Sequence, residues 1–200
     1  LKILAGAEEP DDGTITINPN LKTVYLSQSP EMNDELSALE QVLSGLSAEN
    51  AYMAKSMLNQ LGIGDFEAKI GTLSGGQRKR VALAAALIHP SDILILDEPT
   101  NHLDSEMVSW LEQYLKRFTG GLIMVTHDRY FLERIVNHIV ELSDGKLYSY
   151  EANYSKYIEL KAERAEMDEA SERKRQAILK KEYQWIMRGA RARSTKSRGR

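Results

Sequence analysis

The chain has 200 residues and a mass of 22.6 kDa, is 42% hydrophobic and 28% charged, and holds no cysteine. That is enough to bury a core, and it excludes disulfides, thiolate metal sites and a thiol nucleophile. No apolar run approaches the roughly 20 residues of a bilayer span and no basic, apolar leader opens the sequence, so the expected compartment is the cytoplasm, without membrane.

The net charge of −3 is unevenly spread. Residues 1–160 carry 13 Lys and Arg against 23 Asp and Glu, whereas residues 161–200 carry 13 against 6, giving an acidic body and a basic tail. Leu1-Lys2-Ile3-Leu4-Ala5-Gly6 has no cap and starts on apolar side chains, like a helix interior, so further chain is expected upstream. Pro10-Asp11-Asp12-Gly13 reads as a turn, followed by two β segments at Thr14–Ile17 and Thr23–Leu26 joined by Asn18-Pro19-Asn20. Residues 30–72 turn helical, with Leu36, Leu39, Val42, Leu43 and Leu46 on one face and Met53, Met57, Leu58 and Leu61 on the next, a small helical subdomain.

A βαβ rhythm follows. Ser74 precedes an alanine-rich helix ending near His89-Pro90, and Ile93–Leu96 is apolar on both faces, as a central parallel strand should be. Helix 105–118 carries Met107, Val108, Leu111, Leu115 and Phe118 on one stripe, and Leu122–Val125 reads as a second buried strand. The economical fold is a doubly wound α/β core. A short helix at 130–136 leads to strand 138–142, and Asp144-Gly145 is a hairpin turn into Leu147–Tyr150. From Asn153, an N-cap, to about Met187 the sequence lacks Gly and Pro, which predicts one long, thinly apolar connector helix.

Strand 93–96 ends in Asp97-Glu98, two carboxylates at the edge where α/β sheets bind ligands. In an NTPase, Asp97 would hold Mg²⁺ and Glu98 would position or deprotonate water; equally, acids at a strand end can simply cap the next helix. Leu73-Ser74-Gly75-Gly76-Gln77 presents a helix N-terminus without Cβ obstruction, suited to an anion, or is an ordinary Ser cap after a glycine turn. His127, just past strand 122–125, and Gln28, at the end of strand 23–27, fall on the same sheet edge.

In that order, Gln28, Leu73–Gln77, Ile93–Pro99, Asp104 and His127 resemble the Q-loop, signature, Walker B, D-loop and switch histidine of an ABC ATPase. Glu98-Pro99-Thr100-Asn101-His102-Leu103-Asp104, Val125–Leu132 and the segment Trp185–Arg193 are similar to the ABC-F branch, in particular to the first half of Uup-type proteins and the start of their linker. The resemblance implies a partial P-loop NTPase core over residues 1–152, with its helical subdomain at about 30–72, and a helical linker over 153–200. It implies ATP and Mg²⁺ as cofactors. Asp97 and Gln28 would serve the metal, with Glu98 as catalytic base and His127 on the γ-phosphate. Ser74, Gly75, Gly76 and Gln77 would serve the nucleotide site of an opposed second ABC half, with Asp104 coupling the two. It also implies action on the ribosome.

Two departures accompany it. No G-x-x-x-x-G-K-[ST] run occurs, so the chain by itself is expected to bind ATP poorly and to turn none over. Only 44 residues separate Gln28 from Leu73, which leaves no room for the helical arm usual in this branch. In the tail, Trp185 stands beside Arg188, Arg191, Arg193, Lys196, Arg198 and Arg200, the combination of stacking surface and phosphate partners that suits rRNA or tRNA, with DNA open. A solvated helix end is the plain alternative for that charge run. An ATP-binding subunit of a transporter, or a non-catalytic RNA-binding fragment, are the competing functions.

Overall fold

The computed structural model describes residues 1–193, with side chains to Gln184, and contains two compact units, Leu1–Ile135 and the chain from Val136 onward. In the first, strands β1 (Thr23–Leu26), β2 (Ile93–Asp97) and β3 (Gly121–Val125) form a parallel sheet in the order β1-β2-β3. The expected central strand is central: Leu94, Ile95 and Leu96 of β2 are buried between neighbours on both sides. Helices α1 (Ala38–Leu43), α2 (Ala51–Gln60) and α3 (Gly75–Ile88) lie between β1 and β2, and α4 (Ser105–Arg117) connects β2 to β3. A short helix, α5 (Arg129–Ile135), ends the unit.

Local chemistry sets these boundaries. Ser37 and Glu40 form a capping box at α1, Ser74 and Gln77 form another at α3, and Asp104 caps α4. Nearly every residue of α3 from Val81 to Ile88 is buried, which its alanines permit by letting neighbours approach on all sides. On α4 only the inner stripe is covered, with Leu111 and Leu115 buried and Val108 and Phe118 packed alongside.

Four expectations fail. Residues 1–7 form a hydrogen-bonded turn rather than a helix, closed by Ala5 N–H donating to Leu1 O at 2.9 Å and ended by Gly6 at φ +72°. Residues 14–17 alternate like a strand but pair with nothing among the described residues, so Ile15 and Ile17 stay exposed. Met53 faces solvent, unlike Met57 and Leu58 on the same helix. Strand β3 is not buried on both faces: Ile123 and Val125, which share one face, are exposed, whereas Leu122 and Met124 on the other face pack against the core.

In the second unit, β4 (Ile139–Ser143) and β5 (Lys146–Tyr150) make an antiparallel hairpin. Asp144 and Gly145 both have positive φ, 52° and 71°, the geometry a two-residue primed turn requires. The expected long helix, α6 (Tyr154–Arg193), follows Asn153, whose Oδ1 accepts from Lys156 N–H at 3.1 Å. Its first turns are riveted to the hairpin by Glu141, which receives Lys161 Nζ at 2.7 Å and Arg164 Nη2 at 3.2 Å. Arg164 also lies 3.7 Å over the Tyr148 ring and bonds the Tyr150 hydroxyl. Farther along, Met167, Ile178, Leu179 and Tyr183 are exposed, as a thin apolar seam predicts.

Candidate functional site

The three strands are parallel and in register, Leu26 opposite Leu96 and Leu96 opposite Met124. Whatever follows each strand therefore emerges at one edge. Ser27-Gln28, Asp97-Glu98 and Thr126-His127 meet there although they are far apart in sequence.

Glu98 is the hinge of this edge. Its backbone is left-handed, φ +51°, a conformation that costs an L-residue with a Cβ about 1 kcal/mol. The turn it makes swings the chain off β2 while its N–H still donates to Val125 O at 2.8 Å. Its side chain is 8% exposed and lies against His127, whose own side chain is 97% exposed. The His127 backbone N–H donates to Glu98 Oε2 at 3.3 Å, and the imidazole Nε2 stands 3.5 Å from Oε1. A sheltered carboxylate with one exposed imidazole at its mouth is a geometry for accepting a proton from a small polar molecule.

Asp97, the last residue of β2, borders a cavity of about 630 Å³ shared with Tyr25, Ser27, Gln28, Lys2 and Glu8. The Tyr25 hydroxyl is buried and makes no hydrogen bond among the described residues. Burial pushes this phenol above its ordinary value, and the nearby negative charge of Asp97 adds to the effect. A second, water-sized void of about 10 Å³ lies between Gln28, Asp97, Glu98, Asn101 and Arg80. Arg80, one of its lining residues, has a buried Nε without a partner among the described residues.

The remaining expected residues sit differently. Ser74 Oγ accepts from Gln77 N–H at 3.3 Å and Gln77 Oε1 accepts from Ser74 N–H at 2.9 Å, so their side chains serve each other in the cap. Space is open around Gly75, whereas a Cβ on Gly76 would lie 3.4 Å from the His102 side chain. Asp104 Oδ1 accepts from the N–H groups of Glu106 at 3.0 Å and Met107 at 2.9 Å. In the tail, the α6 backbone runs through Trp185, Arg188, Arg191 and Arg193, while their side chains and the whole of Lys196, Arg198 and Arg200 lie outside the described residues. Sequence reasoning missed Tyr25 and Arg80. The signal available for Tyr25 was its register: opposite Ile95, it shares a face with Asp97 two residues on.

The family described as ABC transporter matches residues 1–101, and a second description under the same heading matches residues 140–200. The chain is 40% identical to the uncharacterized ABC transporter ATP-binding protein YfmR of Bacillus subtilis, over all of this chain and 38% of that protein. It is 35% identical to the energy-dependent translational throttle protein EttA of Haemophilus influenzae, over all of this chain and 44% of that protein. These alignments run over 241 and 242 positions against 200 residues, so the relatives carry segments this chain does not. It spans about two fifths of the length of these relatives. A solved complex of the archaeal ribosomal stalk protein aP1 with the ribosome recycling factor aABCE1 superposes with a TM-score of 0.60 at 30% identity, covering 74% of this chain and 30% of that one. The strand-edge carboxylates, the capped glycine-rich helix and these matches together make the chain a member of the ABC transporter family, in its ATP-binding domain.

Proposed function

We propose that this chain is the ATP-binding part of an ABC-F-type protein, soluble in the cytoplasm, that couples ATP binding and hydrolysis to work on the ribosome. The observation that carries the catalytic half of this reading is the sheltered Glu98 carboxylate hydrogen-bonded by His127 N–H at the edge that also holds Asp97 and Gln28. The relative named as a translational throttle and the likeness to a ribosome recycling factor support the other half.

In this reading residues 1–152 form the nucleotide-binding body and 153–200 the start of a linker. The oxygen donors of Asp97, Gln28 and Ser27 line one cavity and fit Mg²⁺, which needs only one or two carboxylates beside phosphates and water. Asp97 and Gln28 would hold it, and the ion would supply neutralisation of phosphate charge. Glu98 would take the proton from the attacking water, held in place by the backbone of His127, and the exposed His127 imidazole, now 3.5 Å from Glu98 Oε1, would turn to the terminal phosphate. Ser74, Gly75, Gly76 and Gln77 would face the nucleotide bound by a second ABC half, and Asp104 would couple the halves. The basic tail would meet rRNA or tRNA.

The test is Glu98→Gln in a two-half protein containing this chain. ATP binding should persist while turnover falls at least about 100-fold, the lower range for loss of a general base. A kcat within about twofold of wild type would remove Glu98 from the role. The isolated chain should release no phosphate, since its sequence contains no phosphate-wrapping loop to orient the triphosphate.

A further inference from the structure

We propose that the hydroxyl pair of Thr100 and Thr126 is a positioning device that holds the left-handed Glu98 turn in place; it rests on the reading of Glu98 as the base. Glu98 adopts φ +51° although it is not glycine, so its surroundings must over-determine that conformation. Most ties on the turn are backbone bonds that any sequence could make: Glu98 N–H to Val125 O at 2.8 Å, Asn101 N–H to Glu98 O at 3.3 Å and Leu103 N–H to Thr100 O at 3.2 Å. The tie that depends on side-chain identity, apart from Glu98 and His127 themselves, is Thr100 Oγ1 to Thr126 Oγ1 at 3.2 Å.

This bond is the first link of a chain leading into the core. Thr126 Oγ1 also accepts from Asp128 N–H at 3.2 Å, and Asp128 Oδ1 accepts from Phe131 N–H at 3.0 Å. Phe131 is 2% exposed, so the far end is anchored in packed side chains. At the near end Pro99 is buried and lies between Glu98 and Thr100, fixing φ where the turn leaves the strand. The result is a clamp that joins the loop after β2, which carries Glu98, to the loop after β3, which carries His127. A base must be held within about 0.5 Å of its working position, and groups that never touch the substrate do that holding.

The experiment is amide hydrogen exchange on the chain itself, so its outcome does not depend on whether Glu98→Gln abolishes turnover. Thr100→Val should speed exchange at the amides of Glu98 and His127 about fivefold, the factor that one hydrogen bond's net contribution sets. Thr126→Val should do the same and also release Asp128, whose N–H loses its acceptor. The double variant should be no faster at Glu98 than Thr126→Val, because both single changes break the same bond. Thr100→Ser and Thr126→Ser should restore near-native exchange, which a purely packing role of the threonine methyl would not. Amides of Val24 and Leu26 in β1 report whether the sheet is intact; if a valine variant loses these too, the serine variants decide. In the two-half protein the valine variants should lower kcat with the KM for ATP unchanged. Native exchange at Glu98 and His127 in both valine variants, serine variants as fast as valine, or an unchanged kcat in both valine variants of a two-half protein whose turnover Glu98→Gln does abolish, would overturn the proposal.

Discussion

Asp104→Ala removes the side-chain acceptor of two amides at the start of α4, and the loss can be sized from the geometry. Asp104 Oδ1 receives Glu106 N–H at 3.0 Å and Met107 N–H at 2.9 Å, a full N-cap. Loss of such a cap costs about 1 kcal/mol, and the negative charge at the positive helix end adds about 0.5 kcal/mol at low salt. The fully buried residues of α4, Leu111 and Leu115, lie two or more turns farther along and offer these amides no replacement acceptor. For a chain of this length about 1.5 kcal/mol corresponds to a melting temperature lower by roughly 5 °C. Asp104→Asn keeps the oxygen and loses only the charge, so it should fall by about a third as much. Calorimetric melts of the three proteins at low salt measure this. If Asn is as damaging as Ala, or Ala shifts the midpoint by less than about 1 °C, the cap does not stabilise α4 as argued. The series also isolates the coupling role proposed for Asp104: turnover lost in the Asn variant, which retains the cap, would belong to the carboxylate charge.

Acid stability should reveal three carboxyls held below their ordinary range: Glu141 chiefly by Lys161, Glu112 chiefly by Lys116, and Glu40 chiefly by the Ser37 backbone N–H. Their folded pKa lies below the unfolded value near 4.5, so their contribution is complete above that pH and lost as pH falls through the depressed folded values. Melts from pH 7 to 3 should be flat at first and then drop, with Glu141→Gln reducing the drop; a midpoint indifferent to acid refutes the assignment. Gly120→Ala should destabilise by about 2 kcal/mol, because its Cβ would lie 2.5 Å from Asp92 O and 2.6 Å from the Phe118 ring. Gly75→Ala, with open space around it, should be tolerated, and equal effects in denaturant titrations would sink the argument. The tail should bind single-stranded RNA with a log K against log salt slope near about −3 if about four phosphates are neutralised. Arg191→Ala with Arg193→Ala should flatten the slope and Trp185→Ala should not, as filter binding at several salt concentrations would reveal; salt-independent binding, or preference for DNA, would reject the RNA reading.

Much of this was legible because periodicity and punctuation are local. The apolar run Ile93–Leu96, the cap at Ser74 and the Asp144-Gly145 turn each carry their instruction within a few residues. What the sequence could not convey is how many neighbours a strand acquires. Residues 14–17 alternate Thr and Ile like a strand yet pair with nothing among the described residues, and β3, a continuous apolar run, keeps one face open, leaving Ile15, Ile123 and Val125 exposed. Backbone sign is equally silent: nothing in the letters of Asp97-Glu98-Pro99 announces φ +51° at Glu98. The partnership of Thr100 with Thr126 spans 26 residues and exists only once β2 and β3 are aligned.

That alignment is fixed at the opposite end of the sheet. Asp92 Oδ2 accepts from Lys22 N–H at 2.8 Å, Asp92 N–H donates to Lys22 O at 2.8 Å, and Asp92 O accepts from Gly121 N–H at 2.8 Å. One residue thus ties the entrances of all three strands. Each strand then runs about 3.3 Å per residue to the far edge, so these bonds, roughly 16 Å away, determine which residues emerge beside one another. A slip of one position would turn Asp97 to the other face of the sheet, because side chains alternate. It would also take Glu98 out of reach of His127. The chemistry at the carboxyl edge is therefore specified twice, by the residues that stand there and by an aspartate at the amino end that none of the site motifs includes.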